Sequence, residues 1–336
     1  MTSSSSLSKT SNKKEALREM SRAMIGGIFH FSLRTLSKVA RYKPSIRSRL
    51  KKIKVIYNQP YGPLRPWHWL DIYEKHDRPP SLTHSSLKPA ILYVHGGGFR
   101  ILSKDTHWPF ALMFAEAGFV VFNINYRLSP HHPCPAGLSD AALALLWLID
   151  HADAYGVDKQ QIYLAGESAG GHLVTALALA CVRPAPYDWA HALFAKAQQG
   201  WRPRAILPAC AFLDLQVQSP HRNHLSSFIR GRIEFLIRSY LSDPVHDAIA
   251  NPLVEIESEQ EFIYPLPPFF ITVGSADFVV SDSERLALAL SRRNVECIYK
   301  VYPKGIHAFH AVIWSKLAQQ CWQDHFNFLA THMHEI

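Results

Sequence analysis

The chain has 336 residues, of which 48% are hydrophobic and 19% charged, a composition typical of a globular protein with a sizeable core. Its net charge of +9 is uneven, because residues 1–54 hold 14 Lys or Arg and two acids and the other residues sum to −3. The basic segment carries neither base-stacking aromatics nor a recognition module, which argues against a nucleic-acid partner.

The cysteines and the apolar segments bear on location. Five cysteines are an odd number and include no C-x-x-C pair, which favours reduced thiols in a cytoplasmic protein over disulfides or a zinc site. The apolar run 24–29 is too short to span a bilayer and is not followed by a small-x-small cleavage site. A cytoplasmic location is therefore predicted, and these features leave the oligomeric state open.

Apolar runs and helical patterns alternate from about residue 52 onward. The predicted strands are 52–57, 68–73, 90–94, 120–126, 161–165, 205–209, 269–273 and 296–302. The predicted helices are 108–117, 136–155, 169–181, 283–292 and about 311–331. This alternation predicts an α/β fold with a mainly parallel central sheet flanked by helices.

Two regions fall outside that alternation. Residues 213–260 contain an amphipathic helix at 228–241, yet no strand follows for many residues. We interpret them as an insertion over the sheet that forms a helical cap together with the basic segment 1–54. The chain would then consist of that segment and a catalytic domain of residues 55–336.

A G-x-S-x-G motif centred on Ser168 lies directly after a predicted strand and before a predicted helix. The motif alone is weak, because Gly, Ser and Ala are common where helices begin. The strand–turn–helix setting favours function, since a nucleophilic serine needs a sharp turn flanked by small residues. Ser168 is the predicted nucleophile.

Three glycines follow the strand 90–94, in the sequence His95-Gly96-Gly97-Gly98-Phe99. They leave backbone amides accessible where an oxyanion forms during acyl transfer, and the predicted donors are the amides of Gly97, Gly98 and Ala169. The alternatives are a flexible loop or a phosphate loop, but no Lys-Ser or Lys-Thr follows as a P-loop requires. His95 is interpreted as a structural histidine that braces the loop.

The acid and the base should follow the serine along the chain, on loops after late strands. Asp277 follows the strand 269–273 and His307 follows the strand 296–302, so they are the predicted acid and base. Each has a rival nearby. Asp282 is interpreted as a cap of the next helix, and His310 as a residue at a helix start that faces elsewhere.

Together these motifs resemble the hormone-sensitive-lipase family of α/β-hydrolases, known chiefly for microbial carboxylesterases. The resemblance runs from about Leu70 to the end and includes a Tyr-Arg-Leu-Ser-Pro block at 126–130. It implies the α/β-hydrolase fold, a cap, and hydrolysis of small-molecule esters through an acyl-enzyme on Ser168. Glu167, His172 and Ala308 stand where the family usually has Asp, Asn and Gly, and Val280 where Asp is frequent.

Carboxylic-ester hydrolysis without metal or cofactor is the favoured function. Other acyl chemistry on the same site is the alternative: an arylformamidase, lactonase or acyltransferase. A ligand-binding protein that has lost turnover is a further alternative, against which His307 argues, because the receptors that resemble this family lack that histidine. Residues 1–54 have two interpretations, a cap helix or a peripheral anchor to anionic lipid.

Overall fold

The computed structural model describes residues 35, 37, 39–76, 87–241 and 250–333. The chain divides into two compact units, residues 1–47 and 48–336, and the strands of these described ranges lie in the second. The strands are β1 (Ile53–Pro60), β2 (Trp69–Lys75), β3 (Lys88–Val94), β4 (Val120–Ile124), β5 (Val157–Glu167), β6 (Ile206–Ala209), β7 (Phe269–Gly274) and β8 (Cys297–Tyr302). The α-helices are α1 (Pro44–Leu50), α2 (Trp108–Glu116), α3 (Ala136–His151), α4 (Ala169–Val182), α5 (Asp188–Gln198), α6 (Ser227–Tyr240), α7 (Pro252–Glu257), α8 (Val280–Arg292) and α9 (Lys316–His332).

The eight strands form one sheet in the order β1-β2-β4-β3-β5-β6-β7-β8. The pairs β1–β2 and β2–β4 are antiparallel, and all later neighbours are parallel. Parallel strands need helical crossovers, and these cover both faces of the sheet. The mainly parallel sheet predicted from the alternation is therefore confirmed.

Burial explains why the central strands are apolar without alternation. Every residue of β4, β6 and β7 is buried, as expected for strands covered on both faces. All fourteen residues of α4 are buried too, which favours a helix that is apolar on nearly every side. Its run of Ala, Gly and Leu fits that pattern and lets the helix pack closely on the sheet.

All eight predicted strands are present, with ends that differ by a few residues from the predicted ones. The predicted helices are present as well, although the last begins at Lys316 rather than near residue 311. Helices α5 and α7 were not predicted, and α1 lies within the segment 1–54, for which a helix was expected without bounds. No helix in the described part of the chain combines the length and apolarity needed to cross a membrane.

The topology brings four loops to one edge of the sheet. Strands β3, β5, β7 and β8 are parallel, so the segments after Val94, Glu167, Gly274 and Tyr302 all leave from their carboxyl ends. In open α/β sheets this edge is where ligands bind. Each predicted catalytic residue follows one of these four strands.

Candidate active site

Ser168 occupies the turn between the last residue of β5 and the first residue of α4. Its backbone has φ 53° and ψ −116°, a conformation that costs a non-glycine residue about 1–3 kcal/mol. Neighbouring backbone holds the turn: the Ser168 amide donates to the Ala209 carbonyl at 2.9 Å, and the Phe212 amide donates to the Ser168 carbonyl at 3.1 Å. The strained serine turn predicted from the motif is present.

Ser168, His307 and Asp277 form a continuous chain of hydrogen bonds. The Ser168 Oγ lies 2.9 Å from His307 Nε2, and His307 Nδ1 lies 2.8 and 3.0 Å from the two Asp277 carboxylate oxygens. The amide of Val279 donates to Asp277 Oδ1 at 3.1 Å and fixes that carboxylate. The three residues, although Ser168 and His307 are 139 positions apart in the sequence, are thus within direct reach of one another.

The charge around His307 sets its proton affinity. Burial alone would lower the pKa of the imidazole, but the hydrogen bond and negative charge of Asp277, with a further contribution from Glu167, raise the pKa above its ordinary value. The Nδ1–H that Asp277 accepts leaves Nε2 as the free base, directed at the Ser168 hydroxyl. A proton can therefore pass from Ser168 to His307.

The loop after β3 has the backbone conformation that its glycines permit. Gly97 has φ 112°, and a Cβ there would come within 2.1 Å of the Ile101 carbonyl oxygen. His95 braces this loop as predicted, because its Nδ1 lies 2.7 Å from the Gly96 carbonyl oxygen and its ring stacks on Tyr126 at 4.3 Å.

A glycine in α4 brings the Ser168 turn close to that loop. A Cβ at Gly170 would lie 1.9 Å from the Val94 carbonyl oxygen, so only glycine allows this approach of the helix to the end of β3. The predicted oxyanion donors Gly97 and Gly98 follow β3, and Ala169 begins α4. The close contact at Gly170 joins these two segments.

A buried hydrogen-bonded pair beside Ser168 was not predicted from the sequence. Glu167 is 4% exposed, and its Oε1 lies 3.1 Å from Nε2 of His107, which is equally buried. Burial alone would raise the pKa of the Glu167 carboxyl, but the hydrogen bond and charge of His107, with the charge of His307, lower it to about 2. The signal was the departure from Asp at this position, because the longer Glu side chain reaches a histidine 60 positions away.

Neither rival residue belongs to the hydrogen-bonded chain. His310 lies in the 3₁₀ turn Phe309–Ala311, 3% exposed, with its ring 5.2 Å from that of Phe110. Burial lowers the pKa of His310 to about 3, so its imidazole is neutral near pH 7.

The interpretation of Asp282 as a helix cap was wrong. Helix α8 begins at Val280 with Val279 as its N-cap, and no side chain caps it. The Asp282 Oδ2 instead accepts the amides of Leu213 and Asp214 at 3.0 and 2.9 Å, which ties the segment after β6 to α8. Tertiary contact with unpaired backbone amides prevails over the local capping preference.

Cys210 is a further buried group beside the nucleophile. It follows β6 directly and is 1% exposed, and burial raises the pKa of its thiol. One donor atom from each of Glu167, Cys210 and His307 lies within 4.8 Å of the other two. These are the described residues whose side chains are grouped closely enough to bind a metal ion.

Comparison with known proteins identifies similar sequences. Residues 91–311 match the model of a family described as alpha/beta hydrolase fold. Esterase LipQ of Mycobacterium tuberculosis is 28% identical over 272 residues, covering 79% of this chain and 60% of LipQ. An acetyl esterase of Salmonella paratyphi B is 28% identical over 72% of each chain, and Lipase 2 of a Moraxella species is 37% identical over 31% of this chain. The chain spans less than two thirds of LipQ and 24% of Lipase 2.

Solved structures share the architecture. Esterase LipW of Mycobacterium marinum superposes with a TM-score of 0.73 at 21% identity, over 92% of this chain and 90% of LipW. A hormone-sensitive lipase from a metagenome library gives 0.68 at 20% identity, over 90% and 92% of the two chains. At these identities the structures show a common fold.

Proposed function

The chain belongs to the alpha/beta hydrolase fold family, and on that premise we propose that it is a serine hydrolase of carboxylic esters. The observation that carries the proposal is the hydrogen-bonded chain from Ser168 Oγ through His307 to Asp277. The relatives named esterase, lipase and acetyl esterase support the same reaction class. The substrate would be a small-molecule ester.

The mechanism follows from that chain of contacts. His307 Nε2 accepts the Ser168 proton as Oγ attacks the ester carbonyl, and Asp277 holds the imidazole and stabilises its cation. The protonated His307 then gives its proton to the departing alcohol, which leaves an acyl ester on Ser168. His307 next takes a proton from water, which attacks that ester and releases the carboxylic acid while the proton returns to Ser168.

The negative oxygen of each tetrahedral intermediate needs donors that are already in place. We assign that role to the amides of Gly97, Gly98 and Ala169, which is supported by the close packing of the two segments at Gly170. Ala169 begins a helix of fourteen residues, whose N-terminal dipole also favours negative charge. Each such donor contributes about 10²–10³ in rate.

Hydrolysis of p-nitrophenyl esters over a range of acyl lengths tests the reaction class. We expect p-nitrophenol release with a burst at high enzyme concentration, since an acyl-enzyme accumulates when deacylation is slow. The matching p-nitroanilides should react far more slowly. Turnover of anilides with none of esters would contradict the proposal.

Gly97→Ala should lower kcat by about 10²–10³-fold while KM changes little, because the added Cβ displaces a donor used mainly in the transition state. Gly118→Ala is a matched control: Gly118 also has a positive φ, 100°, but a Cβ there meets no atom within 4 Å. Steady-state kinetics of both variants measure the difference. Equal activity of the two variants would remove Gly97 from the assignment.

Glu167→Gln should shift the acidic limb of kcat/KM to lower pH. The base must be neutral to act, and Glu167 contributes to raising the His307 pKa, so loss of its charge keeps His307 neutral at lower pH. The amide oxygen of the substituted side chain can still accept a hydrogen bond from His107. Profiles from about pH 5 to 8 are compared with those of the control variant Glu116→Gln. Glu116 is the last residue of α2, and its carboxylate pairs with Arg49 of α1. A limb that moves upward, or moves equally in the control, would contradict the expectation.

Residues 1–54 are proposed to form part of the cap, with residues 213–260, rather than a membrane anchor. Their charge of +12 is interleaved with apolar residues, which suits either role, but the Gly26-Gly27 pair weakens a free-standing helix. A cytoplasmic location is proposed with it, and the free state of all five cysteines supports that compartment.

Flotation with anionic liposomes at low and physiological salt separates the two roles. If the segment is a cap, the protein should not float with the liposomes at either salt concentration. A chain starting near Lys51 should then lose activity or solubility. As an anchor, it gives salt-sensitive flotation, with roughly 1 kcal/mol for each basic group near the surface. Flotation that is lost on truncation while hydrolysis of a soluble ester survives would overturn the cap proposal.

A further inference from the structure

Two groups beside Ser168 neither donate nor accept a proton in the mechanism above. The carboxylate of Glu167 and the thiol of Cys210 are both buried, and each has a donor atom within 4.8 Å of an imidazole nitrogen of His307. Oxygen, sulfur and nitrogen donors of these three kinds are the ligands that Zn²⁺ takes in proteins. Together they form a candidate set of metal ligands beside Ser168.

These donors already have the outer partners that orient metal ligands. Asp277 accepts a hydrogen bond from His307 Nδ1, which is the carboxylate–histidine arrangement found behind zinc ligands and which leaves Nε2 as the donor. His107 holds Glu167 in the same way. The Cys210 amide donates to the Thr272 carbonyl at 2.6 Å, which fixes the backbone of the third donor. The side chains of His307 and Glu167 and the backbone of Cys210 are therefore held in place.

We propose that Glu167, Cys210 and His307 bind a thiophilic divalent cation such as Zn²⁺ or Cd²⁺, and that the bound cation reversibly blocks Ser168. The Cys210 thiol gives up its proton to solvent as the metal–sulfur bond forms. His307 Nε2 exchanges its hydrogen bond with Ser168 for the metal, and the Ser168 hydroxyl, 2.9 Å from Nε2, is close enough to be a fourth ligand. Ser168 then has no base to take its proton.

The distances require only small movements. Bonds of about 2.3 Å to sulfur and about 2.0–2.2 Å to nitrogen or oxygen place tetrahedral zinc ligands roughly 3.3–3.7 Å apart. Donors within 4.8 Å of one another reach that spacing by contracting at most about 1.5 Å. The His307 side chain is 26% exposed, so the cation enters past the imidazole that it binds. The inhibition rests on the proposed function of His307, whereas the binding does not.

Cadmium titration of the full-length protein tests the binding directly. The thiolate-to-cadmium charge-transfer band in the ultraviolet should rise to one equivalent per chain. Hydrolysis of p-nitrophenyl acetate should fall over the same concentration range and recover with EDTA. Cys210→Ser should lose the band and weaken inhibition by about tenfold or more, since even loss of an outer partner costs 10–100-fold in metal affinity. Cys297→Ser, a matched control on β8, should keep both.

Two further variants keep the test decisive. Ser168→Ala retains all three donors and should show the band although it is inactive. Glu167→Gln should weaken cadmium binding while the thiol stays in place. This variant tests the site even if Cys210→Ser does not fold. A band that persists in Cys210→Ser, or one that depends on Cys297, would overturn the proposal. Esterase activity in Ser168→Ala would instead overturn the proposed function. The cadmium binding could still be interpreted in that case, because that variant retains the three donors.

Discussion

Ser168→Ala should reduce kcat/KM for a short p-nitrophenyl ester by about 10⁴- to 10⁶-fold, the loss typical when a triad serine is removed. The hydroxyl lies 2.9 Å from His307 Nε2 on a strained turn, a geometry that serves proton transfer and nucleophilic attack. Since only one oxygen is lost from a residue that is 7% exposed, the free energy of unfolding should change by about 1 kcal/mol or less.

Circular dichroism and thermal unfolding check that the variant folds, and kinetics on freshly purified protein measure the loss. Ser291→Ala is a suitable control, because Ser291 is exposed near the end of α8 and Ala is favoured within helices. The control should retain the activity of the parent protein. If the Ser168 variant remained within tenfold of the parent, another residue would have to be the nucleophile.

The sequence predicted those features in which local pattern and final environment agree. The central strands β4, β6 and β7 are buried on both faces, so their apolar runs could be located from the sequence alone. The order Ser168, Asp277, His307 followed from loops after successive parallel strands, whose carboxyl ends meet at one edge. The three side chains that the sequence singled out are joined by hydrogen bonds in the structure, and their catalytic roles stay a proposal.

Features that depend on distant partners were not predicted. Helix α5 buries only Ala190, Leu193 and Ala197, so its apolar pattern is weak and small side chains conceal it. The Glu167–His107 pair joins residues 60 positions apart, and no local pattern connects them. Asp282 has the local features of a cap, yet it pairs with backbone amides 68 and 69 positions away.

The backbone conformation explains one departure from the family pattern, at Ala308. Ala308 stands where the family favours Gly, and its φ of 55° lies in the left-handed region. That conformation costs an L-residue about 1–2 kcal/mol relative to glycine, so the family preference reflects the backbone rather than the chemistry. The strain at Ala308 lies directly beside the proposed base, His307.

His307→Ala should lower kcat by about 10⁴-fold or more, whereas His310→Ala should keep kcat within about tenfold of the parent once corrected for the folded fraction. Only His307 contacts both Ser168 and Asp277. His310 is packed among aromatic rings, so its loss leaves a cavity and should cost stability, about 2–4 kcal/mol by comparison with other large-to-small core substitutions. The two variants therefore separate catalysis from stability.

Kinetics and thermal unfolding of both variants make the comparison. Added imidazole provides a further measurement, because a free base can occupy the space left by His307. It should restore part of the activity lost in His307→Ala and none of the activity lost in His310→Ala. Rescue of that kind cannot come from a purely structural role, since imidazole does not restore a fold. An equal kcat loss in the two variants, with imidazole rescuing both, would assign the proton transfer to both histidines. A large loss and rescue in His310→Ala alone would transfer the role to His310.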